Sequence, residues 1–187
     1  LGMIGVGSQN RIHMEFGIAS YAHTLEIAAM ADCLKPSLVA GVKTLFPSAS
    51  PVASQPSDPR DAMKAFANSH CYLDYREMLD KEGDAIDAVV IATPTSLHQQ
   101  MVLDCLDAGK HVFCEKNMGH TYEGCRDIVK KVHETGKVLQ VGHQRRYNPE
   151  YPRGARVSER RTTGPRGDNR RAMAPIRRLE ATRACVS

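Results

Sequence analysis

Apolar positions in this chain gather into short runs separated by longer amphipathic stretches. Leu1 to Ile4 is an apolar run that breaks into a glycine turn at Gly5-Val6-Gly7. Asn10 to His23 has helical spacing, with Ile12, Phe16, Ile18 and Ala19 able to share one buried side. Leu25 to Ala31 reads as a second buried strand ending at Asp32. Pro36 to Phe46 predicts a helix with Pro36 in its first turn, where a missing N–H does no harm. Residues 47–60 are dense in Pro and Ser and predict a surface loop. Ala62 to Ala67 predicts a helical turn and His70 to Tyr72 a brief strand, and Asp74 is placed to cap a helix through Leu79.

Ala85 to Thr93 is the clearest strand. Its second half is apolar without alternation, which suits a central parallel strand covered on both faces. Pro94 ends it, and a helix follows from about Ser96 to Ala108, stopped by Gly109. His111 to Cys114 is the next strand, Tyr122 to Thr135 a helix closed by Gly136, and Val138 to Val141 a further strand. A last helix is expected to begin near Arg145 and reach about Val157. Strand and helix alternate with connections short enough for right-handed crossovers, which predicts an α/β fold with a doubly wound parallel sheet.

Composition narrows the class. At 187 residues, 42% of them hydrophobic, the chain has room for one ordinary core, or one domain with an appendage. No stretch is long enough to cross a bilayer. The six cysteines are scattered, with no Cys-x-x-Cys pair. That argues for reduced thiols in the cytoplasm and against both a disulfide scaffold and a zinc site. The chain opens inside a strand and without Met, so its natural N-terminus is expected upstream, which leaves export open.

The net charge of +4 conceals a division. Residues 1–152 hold 15 Lys and Arg against 18 Asp and Glu, whereas residues 153–187 hold ten Arg, no Lys and three acids. This last stretch has no hydrophobic periodicity and no aromatic residue, and is expected to be disordered. The abrupt change in usage suggests an out-of-frame reading of a GC-rich gene. The expected division is a dinucleotide-binding domain over 1–150 and an Arg-rich tail over 151–187. Nonspecific phosphate binding by such a tail is conceivable, but it has no aromatics to stack on bases, which disfavours a nucleic-acid partner.

The candidate chemistry begins at the glycine turn. A strand that breaks into Gly-x-Gly and then a helix can bring its backbone against a dinucleotide pyrophosphate, with helix N–H groups facing the anion. Gly5, Gly7, Ser8, Gln9 and Asn10 are the residues of that turn, and Asn10 stands where the usual pattern has a third glycine. Asp32, at the tip of the second strand, is placed to accept the adenosine ribose hydroxyls. It would repel a 2′-phosphate, so NAD is expected over NADP, with Lys35 near enough to soften the preference. The plainer readings are a glycine turn that binds nothing and an Asp32 that caps the next helix.

Three further motifs stand at the C-terminal ends of strands: Ala92-Thr93-Pro94-Thr95-Ser96-Leu97-His98, Cys114-Glu115-Lys116-Asn117 and Gly142-His143-Gln144-Arg145-Arg146-Tyr147-Asn148-Pro149. With the glycine turn, Asp32, Asp74-Tyr75-Arg76-Glu77-Met78-Leu79 and Gly109-Lys110-His111-Val112-Phe113, their joint order from Leu1 to about Tyr151 resembles the Gfo/Idh/MocA oxidoreductases. The resemblance implies a Rossmann-like NAD-binding domain and, for the whole enzyme, hydride transfer between nicotinamide and a sugar-like or cyclitol hydroxyl. Thr93, Pro94 and His98 would line the nicotinamide side of the groove, and Glu115 would hydrogen-bond the nicotinamide ribose. Lys116 would be the catalytic residue, polarising the substrate oxygen or sharing its proton; an ammonium in a partly desolvated cleft suits exchange with an alkoxide. Arg146 and Tyr147 would help hold a polyhydroxylated substrate.

Two departures from the family pattern stand out. The family usually has Pro after this Lys, often as a cis bond, where this chain has Asn117. Nothing after Tyr151 resembles the family's second α+β domain, which supplies a His and an Asp to the active site and a surface for homo-oligomers. The chain is therefore expected to be truncated, to bind cofactor and to turn over little. The alternative is a non-catalytic nucleotide-binding module acting through partners. Among single residues, Lys116 could be merely solvated at a strand end and His98 a capping group, and Arg145 and Arg146 could meet only water or a helix C-terminus. His13, His23, His70, His120 and His133 are expected to be surface or core histidines, and no pair has the neighbours of a metal site.

Overall fold

The computed structural model describes residues 1–21, 23–46, 59–151, 153, 154 and 156. The central sheet has six strands, β1 (Gly2–Ile4), β2 (Ala29–Ala31), β3 (Cys71–Tyr72), β4 (Ala88–Ile91), β5 (His111–Glu115) and β6 (Leu139–Gly142). They lie in the order β3-β2-β1-β4-β5-β6, and every pairing is parallel. The chain winds outward from β1 in one direction and then, through β4, in the other. The switch point therefore lies between β1 and β4, where an open α/β sheet forms its ligand crevice.

Apolar residues next to one another in a strand point to opposite faces, and here both faces are covered. Ile4, Ala29, Ala31, Val89, Ile91, Val112 and Cys114 share one core with Tyr75 and Met78 of α4 (Tyr75–Glu82), Val102, Cys105 and Leu106 of α5 (Thr95–Asp107), and Ile128 of α6 (Tyr122–Thr135). Met3, Met30 and Val90 form the other core, with Val6, Met14 and with Leu38 and Val42 of α2 (Lys35–Leu45). The caps predicted at Asp74 and Gly136 are in place, and Thr121 supplies a further one. Asp74 accepts the Arg76 N–H at 2.9 Å, Thr121 accepts the Gly124 N–H at 3.0 Å, and Gly136 ends α6 in the left-handed region.

Three elements differ from their sequence patterns. The helix expected over 10–23 begins as α1 (Ser8–Ile12), widens into a π turn over His13–Gly17 and ends in a 3-10 turn over Ile18–Tyr21. Asn10 and Met14 are its buried residues, whereas Phe16 is 73% exposed; the change of winding turns the expected apolar side away from the core. The second strand is shorter than its apolar run, because β1 offers only Gly2–Ile4 for pairing. The loop expected over 47–60 falls largely outside the described residues, and Pro59 already opens α3 (Pro59–Ser69), longer than the single turn predicted there.

Leu1–Gln144 form one compact unit and Arg145–Ser187 a second. The boundary falls within α7 (Gln144–Tyr147). Beyond it, helical geometry returns at Glu150 and is described at Tyr151, Arg153, Gly154 and Arg156. The disorder and out-of-frame reading expected for the Arg-rich stretch concern residues that, from Val157 on, lie outside the described ones.

Candidate cofactor groove

The C-terminal ends of β1, β2, β4 and β5 bring most of the predicted residues together. Gly5 follows β1 at a φ of 76°, in the left-handed region that glycine tolerates. Its N–H bonds the Ala31 carbonyl at 2.9 Å. A Cβ on Gly5 would lie 2.6 Å from Thr93 Cγ2 and 2.9 Å from the Ala92 carbonyl oxygen, so this turn closes against the end of β4. Gly7 is different: its φ is an ordinary −73°, and a Cβ there would meet nothing within 4 Å. The protein itself has no steric need for glycine at 7. Its bare backbone leaves the outer side of the turn open, the shape a pyrophosphate requires, and the turn fits a dinucleotide on that ground.

Asp32 is fastened to the same turn. Its Oδ2 accepts the Val6 N–H and its Oδ1 the Leu34 N–H, both at 2.8 Å. The carboxylate thus spans the ends of β1 and β2 and remains partly exposed. The Leu34 bond does not make Asp32 a helix cap, because Leu34 is itself the N-cap residue of α2 and the helix has no side-chain cap. Asn10 is fully buried, with its Nδ2 donating to the Ile4 and Gly5 carbonyls at 3.1 and 3.0 Å. It braces the glycine turn from inside instead of facing a ligand. Its Oδ1 is buried without a partner among the described residues. Ser8 is exposed and Gln9 half-buried.

Glu115, at the end of β5, is buried to 7% exposure. Its Oε1 accepts from Gln9 Nε2 at 3.1 Å and meets His13 Nε2 at 2.8 Å, while its Oε2 accepts the Lys116 N–H at 3.1 Å. Gly142 on β6 leaves room for it, since a Cβ there would lie 3.3 Å from Glu115 Oε1. Lys116 is exposed, so the partial desolvation expected of it is not supplied by the described residues. The Lys116–Asn117 peptide is cis.

His98 is fully buried. Its Nδ1 lies 2.5 Å from the Asn117 carbonyl oxygen and its Nε2 2.9 Å from that of Thr93. The ring ties the loop after β4 to the loop after β5 and supports the groove from behind instead of lining it. Thr93 is partly buried and Pro94 exposed at the start of α5. Arg146 and Tyr147 are exposed and belong to the second unit.

Sequence reasoning missed the contact of His13 with Glu115 and named Gly142 only as the start of a motif. The signal for His13 was its place four residues after Gln9, one helical turn along the same face. Two further observations bound the site. A cavity of about 970 Å³ lined by Met14, Ile18, Leu25, Phe46 and Phe66 opens at the other end of the strands, and none of the predicted site residues lines it. Among the described residues no group of three His, Cys, Asp or Glu could hold a metal ion, and no helix is long and apolar enough to cross a membrane.

Known proteins repeat this arrangement. Residues 1–143 match the Gfo/Idh/MocA family model, described as an oxidoreductase family with an NAD-binding Rossmann fold. A 4-carboxy-2-hydroxymuconate-6-semialdehyde dehydrogenase from Sphingobium is 37% identical over 86 residues, which are 46% of this chain and 27% of that protein. The NAD(+)-dependent scyllo-inositol 2-dehydrogenase of Bacillus subtilis is 43% identical over 75 residues, 40% of this chain and 21% of the relative. The matched stretches thus span roughly a quarter of these relatives' length. The WlbA dehydrogenase of Bordetella pertussis, solved with NADH and UDP-GlcNAcA, superposes with a TM-score of 0.60 at 25% identity, covering 85% of this chain and 42% of its own. The scyllo-inositol dehydrogenase of Lactobacillus casei shares the fold, with a TM-score of 0.59 at 22% identity over 87% of this chain and 41% of its own. The chain belongs to the Gfo/Idh/MocA oxidoreductases, and residues 1–143 are its NAD-binding Rossmann fold.

Proposed function

We propose that this chain is the cofactor-binding part of an NAD-dependent dehydrogenase acting on a sugar-like or cyclitol hydroxyl, and that by itself it binds dinucleotide with little turnover. The observation that carries the reading is the convergence of the open glycine turn, Asp32 and the Glu115–Lys116 pair at the switch point of one sheet. The pyrophosphate is assigned to Gly5, Gly7, Ser8 and Gln9, the adenosine ribose to Asp32, and the nicotinamide ribose to Glu115, with Thr93 and Pro94 beside it. Bound nicotinamide supplies the hydride acceptor or donor. Lys116 is the residue assigned to hold or release the hydroxyl proton at its Nζ. Arg146 and Tyr147 are assigned to substrate.

The dinucleotide-binding domain is read as residues 1–150, with 151–187 an Arg-rich addition. The cysteines of the described residues are all free thiols, which supports a reducing compartment, the cytoplasm. The test is a titration with NADH and NADPH, followed by nicotinamide fluorescence, in wild type and Asp32→Ala. Saturable NADH binding tighter than NADPH binding, weakened about tenfold or more in the variant, is the expected result. Failure of a cooperatively melting chain to bind NADH overturns the reading. Oxidation of a polyol panel above background by the chain alone overturns the expectation of little turnover.

A further inference from the structure

The buried carboxylate of Glu115 has more partners than its own loop supplies, and two of them come from the other end of the sequence. Gln9 and His13 sit one turn apart on the helix that follows the glycine turn, so both side chains leave the same face. Both reach Glu115 Oε1, at 3.1 and 2.8 Å. The His13 ring is held edge-on against Phe113, with centroids 5.4 Å apart and planes at 75°. Phe113 belongs to the same strand as Glu115, so β5 both orients the imidazole and receives its bond. The regular α winding gives way to a π turn at His13 itself, as often happens where a helix residue is aimed at a functional site.

A carboxylate offers about four acceptor directions. Gln9 and His13 occupy both directions of Oε1, and the Lys116 N–H occupies one of Oε2. One direction of Oε2 is left, next to the residue assigned to the proton. We propose that His13 is a positioning residue for the nicotinamide half of the site. By saturating Oε1 with Gln9, it turns the remaining Oε2 direction of Glu115 toward a ribose hydroxyl and fixes the backbone at Lys116. This also joins the helix behind the pyrophosphate turn to the strand that carries Lys116. The inference rests on the reading that Glu115 contacts the nicotinamide ribose.

The experiment compares NADH with ADP, which lacks both the nicotinamide ring and its ribose. Wild type, His13→Ala, Glu115→Gln and the double variant are each titrated with both ligands. His13→Ala is expected to weaken NADH binding about tenfold, as the loss of a hydrogen bond to a charged group implies. ADP binding should stay within about twofold, and the double variant should bind NADH no more weakly than Glu115→Gln alone. His13→Gln keeps a donor near the same place and should restore most of the loss. Equal weakening of both ligands by His13→Ala would make His13 merely structural and overturn the proposal. So would full additivity with Glu115→Gln, or NADH binding like wild type. If Glu115→Gln weakens NADH and His13→Ala does not, only the positioning role fails. If Glu115→Gln binds NADH like wild type, the ribose contact fails and takes the positioning role with it. Should His13→Ala not melt cooperatively, His13→Phe keeps the ring on Phe113, lacks the donor and is judged by the same outcomes.

Discussion

At the β1–β2 end of the groove, the Asp32 carboxylate is held by backbone N–H groups from Val6 and Leu34. At the β4–β5 end, the Glu115 carboxylate is held mainly by the side chains of Gln9 and His13, more than a hundred residues away in sequence. Both are anions at strand tips, yet the first is fixed by the path of the chain and the second by a side-chain cluster. Backbone donors stay wherever the turn and strand stay. Side-chain donors can be removed singly, so the nicotinamide end is the one that point substitutions should disable while leaving the adenosine end intact.

Gly5→Val should abolish that distinction, and it carries the largest expected effect. The turn is where the two ends meet: a side chain at Gly5 needs a positive φ and collides with Thr93 and Ala92 at the end of β4. Backbone strain and overpacking together predict a loss of about 2–5 kcal/mol in denaturant unfolding. NADH and ADP binding should fail together. A variant as stable as wild type would show that the β1 turn and the β4 end are not locked to each other.

His98→Leu should come next and separate the two ends. Leucine removes both ring nitrogens and leaves the Thr93 and Asn117 carbonyls without the partner they have now. Loss of these part-buried contacts predicts a loss of about 1–3 kcal/mol. In the protein that remains folded, NADH binding should suffer more than ADP binding, because both loops that His98 ties belong to the β4–β5 end. Equal losses on the two ligands would put the effect in the fold as a whole.

The same contrast decides what could be read in the sequence. The sheet, its doubly wound order and the caps at Asp74 and Gly136 follow from apolar runs, turn residues and short connections, all of them local signals. The meeting of Gly5, Gly7 and Asp32 at the β1–β2 end is legible for that reason: they follow two adjacent strands joined by one helix. His98 is expected from its motif to line the groove, whereas the structure buries its ring between the Thr93 and Asn117 carbonyls; the sequence carries no sign of which way a helix-face imidazole turns. His13 was passed over as an ordinary histidine, since nothing near it in sequence announces Glu115. The winding change at His13–Gly17 was equally hidden, because its residues keep an amphipathic pattern that also suits an α-helix.

The smallest effect is expected at the side-chain pair formed by Tyr72 on β3 and Glu82 at the end of α4, although the Tyr72 backbone carbonyl accepts the Asp32 N–H at 3.1 Å. The Tyr72 hydroxyl donates to Glu82 Oε1 at 2.7 Å, and His70 Nδ1 lies 2.9 Å from the same oxygen. The Tyr72 bond, aided by His70 and opposed by burial, holds the Glu82 carboxyl below its ordinary value. Burial, and then this bond, push the Tyr72 hydroxyl up to about 12, so it stays protonated throughout the acid range. A carboxylate whose folded pKa is depressed contributes stability above its unfolded pKa, and the contribution is lost as pH falls through the folded one. Tyr72→Phe should therefore remove about 1 kcal/mol at neutral pH and shrink the stability difference from wild type as pH drops below the ordinary carboxylate range. Thermal melts of both proteins from neutral to acid pH measure this, and NADH and ADP binding at neutral pH should be unchanged. A difference that persists undiminished in acid would assign the loss to packing around β3 instead of to the Glu82 charge. A change in NADH binding alone would mean that the nicotinamide end draws on the far side of the sheet, and that its side-chain cluster is not self-contained.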